Sequence, residues 1–239
     1  MERRRRPRAP AQIVRSRRPR GSLGLGPAAQ AFGDPVRVTV TRLSIFPLSG
    51  ALLFPRMHLP LHIFEPRYRA MISDSLARDR RIGMVQPRDH NDPPALFDIG
   101  CVGRIAEVEA LDDGRFDIVL EGLTRFTILR ELDVTTPFRQ VEAELEPAGG
   151  NEVLAAIARA SLEIESRRFA DAQGYAVDWE AVTRLDDESL VNGIAQIAPF
   201  DPASKQALLE AETLADRSEL IVQLMQFYVR HGDEGGTLQ

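Results

Sequence analysis

Residues 43–68 constrain the fold more than any other part of the chain. Four prolines (Pro47, Pro55, Pro60 and Pro66) interrupt an almost continuously apolar run. Proline lacks an N–H and fixes its own φ, so it is excluded from helix interiors and from central strands. The run is therefore predicted to fold as a turned segment with short extended pieces. It ends at Pro66, which suits the first turn of a helix because its missing N–H would be unpaired there anyway. No catalytic group stands in a recognisable setting within it, so the run reads as a packing and binding surface.

The 239 residues are 44% apolar and 27% charged, ordinary for a globular chain long enough for one large domain or two small ones. No stretch approaches 18 consecutive apolar residues, so no membrane helix is expected. The single cysteine, Cys101, cannot form an internal disulfide, which points to a reducing, cytoplasmic setting. Its apolar neighbours make it a small buried hydrophobe. Charge is unevenly placed: residues 1–20 hold nine arginines and one glutamate, whereas residues 21–239 sum to −13. The tail, residues 1–35, is poor in apolar residues and reads as disordered. An early translation start, a nucleic-acid-binding arm and a transit peptide also fit its composition.

Alternation at Val36, Val38 and Val40 predicts a strand over 36–46. Tyr68, Met71, Ile72 and Leu76 share one face of a helix that starts at Pro66. Short strands follow at 82–85, 99–111, 115–120, 125–132 and 138–145. Asp112, Asp113 and Gly114 form a turn, and Glu121-Gly122 is read as a break by bulge or turn. Residues 36–146 thus form a small closed or half-closed barrel with one helix. Pro147 to Gly150 reads as a linker, after which residues 151–230 take a helical period. Val153, Leu154, Ile157, Ser161, Ile164 and Phe169 fit one long amphipathic helix. Asp186 and Asp187 can cap a second, Asp201-Pro202 opens a third, and Thr213 with Asp216 has capping-box spacing for a fourth. The fold class is α+β, a small barrel followed by an all-helical bundle.

The candidate chemistry is sparse. His58 and His62 are four apart, but Pro60 lies between them and no further ligand converges, so no metal is expected. The Gly-x-x-x-x-Gly-Lys phosphate loop is absent, and no cofactor is implied. Ser204 sits beside the only lysine, Lys205, but adjacent helical residues point apart and do not make a catalytic pair. Glu65 with Arg67, and Glu121 with Arg125, read as structural braces. No catalytic residue is assigned. One cluster stands out: a proline-rich run cannot bury every apolar group, so Phe54, Met57 and Leu59 are the candidate contacts for a partner polypeptide.

The pieces Phe46-Pro-Leu48, Leu53-Phe-Pro55, Leu59-Pro-Leu61, Ile63-Phe-Glu-Pro-Arg-Tyr68, Ile99 to Ile105 and Glu121 to Phe126 carry a family resemblance. So do Leu190 to Ala198 and Lys205 to Glu210. Across residues 42–230 the chain resembles the amino-terminal domain of Lon proteases, in stand-alone form. The resemblance implies a PUA-like β-barrel, a helical bundle and a non-catalytic, ATP-independent role in binding unfolded or partly folded polypeptides, with a protease as a further partner. The alternative is a PUA-like RNA-binding protein that uses its basic tail for phosphate contacts.

Overall fold

A computed structural model describes residues 39–147 and 152–234, with side chains to residue 230. The Arg-rich tail, and the nucleic-acid reading that rests on it, lie outside the described residues. Among the described residues there are six strands: β1 (Thr39–Pro47), β2 (His58–Ile63), β3 (Arg81–Val85), β4 (Ile99–Ala110), β5 (Phe116–Glu131) and β6 (Gln140–Leu145). The helices are α1 (Pro66–Leu76), α2 (Ala156–Gln173), α3 (Trp179–Thr183), α4 (Asp187–Ile197), α5 (Pro202–Glu210) and α6 (Leu214–Glu234). The class is α+β, as expected.

The strands form one mixed sheet in the order β2-β5-β4-β3-β1-β6. Only β1 and β3 run parallel. The far half of β5 also pairs with β6, so the sheet curls strongly on itself. Leu43, Ile45, Val85, Val102, Phe126 and Val141 fill the inside of that curl. A second, larger cluster joins the sheet to the helices: Phe46, Leu53 and Phe54 belong to the same core as Val191, Leu208 and Ile221.

Gly122 does not end a strand. β5 runs through it as one 16-residue strand, and the pairing slips where Val102 faces Thr124 but Gly103 faces Gly122. The extra residue is Leu123, so the local feature is a bulge rather than a turn. Glycine is required because a Cβ at 122 would lie 2.1 Å from the Phe54 carbonyl oxygen. The expected Glu121–Arg125 brace does not form. Glu121 pairs across the sheet with Arg104, while Arg125 reaches Glu146 and the carbonyls that end α5.

The predicted helix caps are present. Asp186 accepts the Ser189 N–H at 2.9 Å, Asp201 accepts that of Ser204 at 2.9 Å, and Thr213 with Asp216 forms a reciprocal box. The face of α2 is a correction. Of the expected set, Phe169 and Leu154, the latter ahead of the helix, are buried, while Val153, Ile157, Ser161 and Ile164 are exposed, and α2 buries Leu162, Ser166 and Ala170 beside Phe169. The helix has apolar residues on both sides, and packing against α6 selects between them.

Cys101 is fully buried, and burial pushes its thiol up to about 12 from 9.0. Between those values the folded chain keeps a proton that the unfolded chain has lost, so raising the pH favours unfolding through this group. Wild type is expected to lose stability relative to Cys101→Ala above pH 9, by up to about 1.4 kcal/mol per pH unit. Paired urea titrations at pH 8 and about pH 10 check this, and a constant difference between the two proteins would refute it.

Candidate functional site

The three candidate residues of the proline-rich run separate. Phe54 is completely buried, so it cannot meet a partner and leaves the candidate surface. Met57 and Leu59 are half-buried and packed on the main core. The physical reason lies in backbone groups that the sheet leaves unpaired. Phe54 to Met57 form a tight turn with Arg56 in the left-handed region (φ 65°), and the Met57 N–H bonds the Phe54 carbonyl at 3.1 Å. The Gly122 backbone takes the Arg56 N–H and the Met57 carbonyl, both at 2.8 Å, and two amides, Asn192 and Gln196, one helical turn apart on α4, take up three more groups. The Phe54 N–H donates to Gln196 at 3.1 Å. Asn192 donates to the Pro55 carbonyl at 3.1 Å, and Gln196 to the His58 carbonyl at 2.7 Å. A buried backbone polar group without a partner would cost as much as a lost hydrogen bond. The run is thus clamped face-down on α4.

The exposed apolar surface lies elsewhere, in a groove of about 520 Å³ among the helices. Its floor is Phe169 and Ala170 of α2, Leu190 and Ile194 of α4, and Met225 of α6. Its outer wall is the segment between α2 and α4, which supplies Tyr175, Val177, Trp179 and Leu185. Most of that wall faces solvent: Tyr175 is 50% exposed and Leu185 42%, and Ile197 at the end of α4 is 81% exposed. Glu163 is the one charged residue that lines it. Soluble chains rarely leave so contiguous an apolar patch uncovered without an interaction to explain it. The volume falls within the ~300–1,000 Å³ usual for ligand sites, enough for a few side chains of a bound chain.

Few contacts hold the outer wall. The Arg167 guanidinium lies over the Trp179 ring at 4.5 Å. Arg159 spans the base of the segment, pairing with Glu163 at 2.9 Å and with Asp187, and donating to the Leu185 carbonyl at 3.0 Å. The Asp187 hydrogen bond holds the Arg159 guanidinium above its ordinary range. α3 itself buries no residue. The sequence reading passed over this segment because its apolar residues follow no helical period. The available signal was an interhelical connection carrying Tyr175, Val177, the only tryptophan, Val182 and Leu185 within eleven residues.

The remaining candidates are placed without ambiguity. His58 and His62 lie on one face of β2, both exposed, and His62 faces Asp117. Among the described residues no group of three or more His, Cys, Asp or Glu converges as a metal site. The Ser204 hydroxyl donates to Asp201 at 2.6 Å, and Lys205 Nζ donates to the Gln196 carbonyl at 2.7 Å. Burial lowers the Lys205 amine from its usual range. No described helix is long and apolar enough to cross a membrane.

The comparisons with known proteins agree with this architecture. The chain is 26% identical over 199 residues to a Lon protease of Heliobacterium modesticaldum, an alignment covering 80% of this chain and 24% of that one. It is 30% identical over 199 residues to Lon protease 2 of Myxococcus xanthus, covering 77% and 23%. The chain thus spans about a quarter of the length of these relatives. The fold is shared with a Lon N-terminal domain protein from Xanthomonas campestris (TM-score 0.60, 20% identity, 78% of this chain and 98% of that one). It is also shared with the N-terminal domain of the Mycobacterium avium complex Lon protease (TM-score 0.61, 16% identity, the same coverage). The family model for the ATP-dependent protease La (LON) substrate-binding domain matches residues 42–226, and the chain belongs to that family.

Proposed function

We propose that this protein is a non-catalytic polypeptide-binding module that takes exposed apolar segments of client proteins into the helical groove, in proteolysis or quality control. The observation that carries the reading is the groove itself, an uncovered apolar cavity of about 520 Å³ in a chain of the substrate-binding family. Bringing one apolar side chain out of water there contributes about 1.5–3 kcal/mol, so a few together give useful affinity even after ordering costs. Ser204 and Lys205 are engaged elsewhere and add no hydrolytic chemistry to the groove. Cleavage and ATP turnover would fall to a partner protease.

Trp179 is the only tryptophan and lines the groove, so its emission reports occupancy without a label. Titration with a reduced, unfolded polypeptide is expected to shift that emission saturably. Ile197→Gln should weaken binding about tenfold, since about 1.4 kcal/mol of apolar contact is removed. Ile197 touches solvent over 81% of its surface, so the thermal midpoint should move by less than about 2 °C. Glutamine is chosen because glutamate would oppose the dipole at the end of α4. Unchanged affinity in Ile197→Gln and Tyr175→Ser would remove the groove from the binding surface.

A further inference from the structure

We infer that the groove selects apolar segments flanked by lysine or arginine over the same segments flanked by aspartate or glutamate. This rests on the reading of the groove as a polypeptide site and adds the chemistry of its occupant. Residues 156–198, which build most of the walls, hold eight carboxylates and four arginines, a formal charge of −4. Three of the four local arginines are already engaged, and the fourth, Arg168, is exposed. Arg159 is shared by Glu163 and Asp187, Arg184 is paired with Glu180, and Arg167 lies on Trp179. Arg56, arriving from the proline-rich turn, is shared by Asp186 and Glu188.

Carboxylates are left in excess at the rim. Asp171 follows the groove residue Ala170, and Asp178 lies between Val177 and Trp179. Both are exposed, and neither has an ion-pair partner among the described residues. An apolar floor whose flanking segments carry net negative charge favours a segment with an apolar centre and cationic ends, and repels an anionic one. The rim charges lie in water, so the preference should fade as the screening length shortens. The apolar contribution should not fade with it.

The test uses the full chain and two fluorescein-labelled peptides with one apolar centre, flanked by Lys-Lys or by Glu-Glu. Anisotropy is read at about 0.03 M and about 0.5 M salt. The lysine-flanked peptide is expected to bind about tenfold more tightly at low salt, with the ratio near one at high salt. In the double variant Asp171→Asn/Asp178→Asn the low-salt ratio should fall about threefold, and Asn keeps the α3 cap. Ile197→Gln should weaken the lysine-flanked peptide too. Equal affinities at low salt would overturn the charge preference and leave the groove reading standing. Binding by neither peptide at either salt would overturn the groove reading itself. A lysine-peptide advantage unchanged in the double variant, with no effect of Ile197→Gln, would place its binding elsewhere and also overturn the inference.

Discussion

Phe54→Ser is expected to lower the stability of this protein by about 4 kcal/mol, the range of large-to-small changes at an aromatic core position. Phe54 is among the largest fully buried side chains. Its ring lies 5.9 Å from the Arg217 guanidinium, and its backbone is pressed against Gly122 and tied to Gln196. Serine would leave a cavity and place a hydroxyl in an apolar cluster. The whole of a domain's stability is about 5–15 kcal/mol, so the loss is a large share of it. The thermal midpoint should fall by roughly 8–16 °C. Met57→Ser, at a half-buried position whose sulfur lies near Gly193, should cost much less. Thermal denaturation of the two variants beside wild type separates the roles. A midpoint for Phe54→Ser within about 3 °C of wild type would mean that Phe54 is not core.

That contrast marks where the sequence was legible. Caps are local: Asp186, Asp201 and the Thr213–Asp216 box each depend on residues three apart, and each forms as read. Pro66 begins α1 for an equally local reason. The direction in which an apolar residue faces is not local. Phe54 and Ile157 are both large apolar residues with apolar neighbours in sequence, yet one is completely buried and the other 82% exposed. The difference is made by residues more than a hundred positions from Phe54, the α4 amides that accept or donate to its turn. An amide on the inner face of a helix is the sequence trace of such a clamp, but only the partner backbone shows what it clamps.

The groove was hidden for a related reason. Its floor is made by three helices that were each legible, and its wall by a connection that has no period to read. A hydrophobic pattern identifies the face a helix buries against its neighbours; it does not identify a gap that the neighbours leave. Two faces of α2 competed in the pattern, and the residues expected inside, Ile157 and Ile164, lie outside. The family resemblance pointed to polypeptide binding, and the proline-rich run that carries it most densely is packed against α4 with its most apolar residue inside.

Arg217→Ala is expected to cost about 3 kcal/mol or more, since it leaves buried neutral acceptors unsatisfied at about 1–3 kcal/mol each and removes a large packed side chain. The side chain is almost fully buried, and burial, followed by the nearby Arg125 charge, pushes its pKa down to about 10. It donates to the Leu208 carbonyl at 2.7 Å, to Asn192 at 2.7 Å and to the Ala211 carbonyl at 3.3 Å. Arg125 takes the Leu209 carbonyl beside it at 2.9 Å. The last carbonyls of α5 have no helical partner, so two arginines from β5 and α6 close that end of the helix, where the dipole favours positive charge. Asn192 then links the same network to the Pro55 carbonyl, and so to the proline-rich run. Arg217→Met keeps much of the volume and removes the donors. Its cost, measured by urea unfolding, should remain above about 2 kcal/mol because the α5 carbonyls and Asn192 lose their partner. An Arg217→Met protein within about 1 kcal/mol of wild type would show that the cost of burying the charge equals what its hydrogen bonds return.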